Sequence, residues 1–372
     1  MATSNIFGTR YWVGLGALVT LLSGCSGAVD DSTTGVDDGE HLGQTAQALG
    51  TQGTCYVDCG CDSSLYDNCY TQETFNTAST RVVVKYYQCK TIPSDSIGNV
   101  FATCPVEPDF RVIGGGTTVD SSASALDYSS AQSGPQLEAL RGGSWATESR
   151  LAPGTPPPPV GAPPVYHATP FAIGIKLHGG CGAVSCNDEV DLENSLAVSS
   201  RTAPFAAHPS VTVSVPSGFI VLGGGFNTSS GVWPVDAYAT GMYNGTWTVK
   251  GAAFTTSQGY VTASAISISR CVPAENPIFC FNGVDRKIVW ATSSTGTGGA
   301  EAYAVNGSSG FAPVGVGVYS NSWSRPISNL FPLAWAMVNY GGSAAGTTQP
   351  YQTDVSGYAK AETMLLNIEP PW

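Results

Sequence analysis

Cysteine is the residue type with the most chemistry to offer in this 372-residue chain, which carries eleven of them. Cys25 follows an apolar run and stands apart. The other ten form an even set, as a disulfide framework in an oxidising compartment requires. Cys181 and Cys186 are near enough to close a small loop. Cys271 and Cys280 flank a turn containing Pro273 and Pro277, as a bridged hairpin would. Cys55, Cys59, Cys61, Cys69, Cys89 and Cys104 remain, and six cysteines allow many pairings that spacing does not settle. A zinc site asks for cysteines with two residues between them or histidines close by. The cluster from Cys55 to Cys69 has neither, so disulfide staples are expected.

Carboxylates gather at one place in the body. Asp188, Glu189, Asp191 and Glu193 offer the hard oxygen donors that Ca2+ takes, beside the loop that Cys181 and Cys186 would close. No EF-hand spacing is present, and the same acids would also discourage the edge of a solvated strand from pairing. Hydroxyl chemistry is weaker. Gly142-Gly143-Ser144-Trp145-Ala146 approaches a nucleophile elbow but lacks the final glycine, and that elbow needs a strand-to-helix turn, so Ser144 reads as a turn residue. His167, His178 and His208 form no metal-spaced pair. Neither Gly114-Gly115-Gly116 nor Gly223-Gly224-Gly225 is followed by a lysine or a helix start. Close backbone approach therefore fits them better than a phosphate cradle. No catalytic set emerges, and a non-enzymatic role is expected.

Two tryptophans sit where a ring would be displayed. Trp233 and Trp323 follow glycine-rich bends, the first beside Pro234 and the second near Arg325. An exposed ring there would stack on a sugar or anchor a protein partner.

The start of the chain explains why Cys25 stands apart. Residues 1–9 are polar, Arg10 supplies one positive charge, and residues 11–22 are mostly apolar. That run has the length of a signal-peptide core and is too short to cross a bilayer. It ends in Leu22-Ser23-Gly24-Cys25, which resembles the lipobox of bacterial lipoproteins. The resemblance implies a diacylglycerol thioether on Cys25, cleavage before it, and an acylated new amine. Several chains on one residue anchor stably where one would not. Ser26 in place of aspartate implies, by the same resemblance, sorting to the outer membrane.

Loss of residues 1–24 takes the formal charge from −12 to −13, since Arg10 leaves with the leader. Residues 25–53 hold Asp30, Asp31, Asp37, Asp38 and Glu40, with no lysine, arginine or aromatic residue. Such a stretch cannot bury enough apolar surface to order itself, so a disordered acidic tether is expected. The acidic balance argues against nucleic acid as a partner.

Beyond a Cys-rich segment (residues 54–79), the body reads as all-β. Val82-Val83-Val84 precedes Tyr86 and Tyr87, and residues 211–215 alternate with period two. Residues 136–141 and 361–368 are the two short stretches that fit a helix as well as a strand. The proline-rich insertion at residues 152–159 must lie outside the sheets. Self-comparison gives three units. Phe110 to Gly116, then Trp145, then Ala168 to Ile175 match Phe219 to Gly225, then Trp247, then Val261 to Ile268. A degenerate copy runs from Phe311 to Gly317, through Trp335, to Val355 and Ala359. The boundaries are residues 80–178, 179–271 and 272–372. Tryptophans at the recurring position are expected in the core. This glycine-triplet-to-tryptophan unit resembles repeats of uncharacterised exported bacterial proteins, a resemblance that brings no known chemistry with it. The architecture expected is disulfide-stapled small β-sandwich or prism-like modules, either in tandem or joined with pseudo-symmetry.

Three classes of function follow. The first is an envelope-anchored binding or adhesion module with a glycan or protein partner. The second is a structural envelope component, and the third a secreted hydrolase whose groups are scattered along the chain.

Overall fold

Strands and turns make up the computed structural model throughout. It describes residues 53–55 and 61–367 apart from 78–79, 121–123, 133–142, 153, 182–185, 191, 241–244, 255, 273–278, 281–282, 293–299, 306–310, 321–322, 324–325, 333–342 and 349–357. The first nine strands are β1 (Gly53–Cys55), β2 (Tyr66–Thr77), β3 (Thr80–Cys89), β4 (Ile92–Pro93), β5 (Val100–Pro105), β6 (Arg111–Val119), β7 (Ser124–Gln132), β8 (Ser144–Leu151) and β9 (His167–Cys181). Then come β10 (Cys186–Val190), β11 (Leu196–Thr202), β12 (Ser210–Ser214), β13 (Phe219–Thr228), β14 (Val232–Thr240), β15 (Thr246–Ala253) and β16 (Val261–Ser269). The last third holds β17 (Cys271–Val272), β18 (Phe279–Cys280), β19 (Gly283–Thr292), β20 (Ala300–Val305), β21 (Phe311–Ser320), β22 (Ile327–Pro332), β23 (Ser343–Thr348) and β24 (Tyr358–Asn367). Residues 361–367, which fit either state by pattern, are strand. Residues 136–141 lie outside the described residues.

Burial follows the sequence pattern. Strands β5 and β12 alternate buried and exposed residues, as strands with one wet face do. Strands β6 and β13 are buried almost throughout, Arg111 included, because both of their faces are covered.

Pairing then crosses the boundaries between segments. Strands β3, β9 and β6 continue into β22, β23 and β20. Strands β11, β16 and β13 continue into β7, β8 and β5, and β12, β15 and β14 continue into β21, β24 and β19. Each six-stranded sheet therefore takes its strands from two segments, and the ten-stranded sheet joins strands of 80–178 and 272–372 with β1, β2 and β10 from the others. The three joints share one register: Thr117 faces Leu330, Phe226 faces Ser129, and Val318 faces Ala237. Thr117, Phe226 and Val318 each directly follow the third position of the glycine-rich stretch. The strands β6, β13 and β21 also slip register once each, after Val112, Val221 and Pro313. Those bulges leave Ile113, Leu222 and Val314 fully buried.

The glycines have two separate reasons. A Cβ on Gly114 would lie 2.7 Å from the Val314 carbonyl oxygen, and one on Gly223 would lie 3.2 Å from that of Ile113. The glycine strands of different segments thus close on one another. The next position makes room for an indole: a Cβ on Gly115 would lie 2.2 Å from Trp145, and one on Gly224 2.4 Å from Trp247. Both tryptophans are buried as expected, and Trp247 donates from Nε1 to the Gly225 oxygen at 3.0 Å. Trp335 lies outside the described residues.

Two disulfides that spacing left open are Cys61–Cys69 and Cys89–Cys104. Cys181 stands opposite Cys186 at the β9–β10 hairpin, and Cys271, itself disulfide-bonded, stands opposite Cys280. Cys55 is on β1 opposite Thr71, and Cys59 lies outside the described residues. The proline-rich insertion carries no strand and is largely exposed. Tyr166 pins its far end, with a buried hydroxyl 2.8 Å from the Ser149 oxygen and 3.0 Å from that of Gly98.

Candidate functional site

Strand register builds a polar row beside the joint between β14 and β21. Ser210 on β12 faces Lys250 on β15, and Lys250 faces Asp236 on β14. One step along, Thr212 faces Thr248, and Thr248 faces Tyr238. Residues two apart on a strand share a face, so Lys250 and Tyr238 emerge on the same side. The joint pair of Ala237 and Val318 then brings Tyr319 beside Tyr238, their rings edge to face at 5.5 Å.

Asp236 is 2% exposed, and its Oδ2 accepts a hydrogen bond from Lys250 Nζ at 2.7 Å. The ammonium lies 5.1 Å from the Tyr319 ring centre, 5.7 Å from that of Tyr238 and 5.9 Å from that of Trp323. Three ring quadrupoles thus surround one cation whose counter-ion is buried. Desolvation pulls the Lys250 pKa down, but the hydrogen bond and charge of Asp236, with Tyr238 and Tyr319, outweigh it and hold it above 10.5. Burial lifts the Tyr238 phenol above 10.0, with Lys250 opposing and Asp236 and Tyr319 adding.

Trp323 completes the cluster from the segment after β21. It is 39% exposed, and the exposed His208 lies tilted against it at 4.8 Å between ring centres. The result is a partly wet indole face, backed by an imidazole and an ordered ammonium, at the rim of a hydroxyl-rich strand face. Chemically this arrangement offers a stacking surface and hydrogen-bond donors at its edge.

The second predicted stacking ring is a correction. Trp233 is 6% exposed, lies edge-on to Phe254 at 6.0 Å, and offers no face to a ligand. Its sequence position fits a loop or a strand start, and it is the second residue of β14, with Pro234 the third. There the register shifts between Pro234 and Asp236 while the strand is covered on both sides. Sequence reasoning gave His208 no partner and missed Asp236, Tyr238, Lys250 and Tyr319. The alternate spacing of Asp236 and Tyr238 was the only local signal.

The other candidates separate. Ser144 opens β8 opposite Pro105 and Gln132, as Thr246 opens β15 opposite Ser214 and Thr240, so both mark a strand start. His167 is tied to Asp120, through Nδ1 at 2.9 Å and through its backbone nitrogen at 2.8 Å. His178 stands in register with Arg81 and Glu189. Asp188 and Glu189 lie on β10, Glu193 sits in the turn before β11, and Asp191 lies outside the described residues. Among the described residues no three acids, histidines or cysteines come together as a metal site. Cys25 and the tether up to residue 52 also lie outside them, while Gly53 opens β1.

No protein-family model and no curated protein matches this chain. Among the described residues no helix is long and apolar enough to cross a membrane.

Proposed function

We propose that this chain is an exported lipoprotein, anchored through Cys25 to the outer membrane, whose β body binds a glycan through the Trp323 face. The carrying observation is the partly exposed indole of Trp323, held beside His208 and the Lys250–Asp236 pair. A flat apolar ring with donors at its margin suits a pyranose, which presents C–H groups on one face and oxygens at its rim. The lipobox residues Leu22-Ser23-Gly24-Cys25 and the even number of remaining cysteines support the exported, anchored part.

The fold reading that goes with it is a single prism with pseudo-three-fold symmetry. Residues 80–178, 179–271 and 272–372 would be copies of one unit, each lending half a sheet to the next. Three joints in the same register support that reading. It fits a rigid scaffold that presents loops at its corners.

The test is a glycan array probed with full-length Cys25→Ala protein. Selective binding that Trp323→Ala abolishes is the expected result, with the variant's thermal midpoint within a few degrees of the parent. Absence of any glycan signal would count against the proposal. Labelling by a serine-hydrolase probe would overturn it in favour of catalysis.

A further inference from the structure

Two connections lead from a tryptophan strand to the strand after it, and they differ in kind. Residues 254–260 join β15 to β16, whereas residues 152–166 join β8 to β9. The longer one holds Pro153, Pro156-Pro157-Pro158-Pro159, Pro163 and Pro164. Covalent geometry alone shapes its centre. A proline ring fixes its own φ, and a residue that precedes proline is pushed out of the helical region. Pro156, Pro157 and Pro158 each meet both conditions, so the run is held as a polyproline II helix of about three residues per turn. Pro158 is half-buried against the body, while Pro156, Pro157 and Pro159 are exposed.

A turn closes each end of the run. Thr155 N donates to the Ala152 oxygen at 3.0 Å, with Gly154 at φ +83°. Ala162 N donates to the Pro159 oxygen at 2.9 Å, with Gly161 at φ +80°. Glycine at positive φ in the third position is the type II pattern, and it sets the fully exposed Val160 at the tip of the second turn. The base is fixed too. Ser94 N donates to the Tyr166 oxygen at 2.9 Å and Val165 N to Ser94 Oγ at 3.1 Å, in addition to the two bonds of the Tyr166 hydroxyl. Tyr166 belongs to a small core of its own with Val100, Ala102, Val119 and Ala168, and Ile92 and Leu151 pack against it.

We infer that residues 156–160 are a recognition segment for a partner protein with an aromatic-lined polyproline groove. Such grooves take a preformed polyproline II helix because little conformational entropy is left to lose on binding. Here the proline geometry, the two turns and the small core have removed that entropy in advance. Pro156 and Pro159 are one helical turn apart and lie along one edge, the spacing of a P-x-x-P ligand. Residues 151–166 carry no charged side chain, so nothing in them would draw the segment to an anionic lipid surface. The inference goes beyond glycan binding, rests on different residues and is tested apart from it.

The probes are SH3, WW and EVH1 domains immobilised on a biosensor, with full-length Cys25→Ala protein as the analyte. Saturable binding to at least one of these domains is expected, and binding to none overturns the inference. Pro156→Gly combined with Pro157→Gly loosens the helix at exposed positions, and should weaken that binding about tenfold or more. The thermal midpoint of this double variant should stay within a few degrees of the parent. Equal binding by parent and double variant overturns the inference. A soluble oligoproline peptide should compete with the protein for the same domain, and failure to compete also overturns it. Flotation with phospholipid vesicles that the double variant abolishes would assign the segment to a lipid surface instead, and would overturn it as well.

Discussion

Asp236 and Lys250 face each other across β14 and β15, and the 2.7 Å hydrogen bond between them is made by a carboxylate almost wholly removed from water. The lysine side chain keeps 25% of its surface exposed, so the pair spans the boundary between core and solvent. That position decides how it responds to substitution. Removing the cation strands a buried negative charge, which costs more than losing a surface ion pair. Lys250→Met should destabilise the protein by about 2 kcal/mol in urea denaturation, and Asp236→Asn by less. The double variant should recover part of the loss, giving a coupling of about 1–2 kcal/mol. Additive single effects would mean that the pair contributes nothing as a pair.

The same cluster, together with Tyr66 on β2, sets a response to alkali. Lys250 is held above 10.5 and Tyr238 above 10.0, and burial with Glu107 and Asp62 nearby raises Tyr66 to about 12. In each case the folded state keeps its proton to higher pH than the unfolded chain does. Their stabilising contribution is therefore complete below about pH 10 and is lost as pH rises through the raised values. Phenolate absorbance should show Tyr66 and Tyr238 ionising later than free tyrosine, and stability should fall in step above pH 10. Flat stability through that window would contradict all three assignments.

Glycine substitutions distinguish crowding from backbone strain. Gly224→Ala drives a methyl into Trp247 and should cost about 2 kcal/mol or more. Gly161 has φ of +80° and nothing within 4 Å of a Cβ, so Gly161→Ala should cost only about 1 kcal/mol, from strain alone. Thermal denaturation of the two variants ranks them. Equal losses would show that the indole yields to the methyl.

Cys25→Ala should abolish metabolic fatty-acid labelling and move the protein from the membrane fraction to the soluble one. A variant still labelled and still sedimenting with membranes would refute the lipoprotein assignment.

Strands were legible because their signal is local: residues 211–215 alternate in the sequence and again in burial. The buried places of Trp145 and Trp247 were legible because the surrounding unit recurs. The sharing of sheets was not, since a joint such as Thr117 with Leu330 leaves no mark in either neighbourhood. The site fell to the same limit. Its residues run from His208 to Trp323, and the joint of Ala237 with Val318 sets the two tyrosines side by side. Trp233 was expected to be displayed because it follows a glycine-rich bend, whereas it packs near the start of a strand buried on both faces.

The joint of Thr117 with Leu330 also fixes an order of events. A chain that emerges from its N-terminus first makes β6 long before β22 exists, so β6 waits with its partner edge unfilled. No segment can finish alone, because β7 waits for β13 and β14 waits for β21. Folding dominated by such distant pairings is slow. The half-made sheets stay sticky until the last strands arrive, which places the greatest hazard to this protein in the interval between emergence and closure.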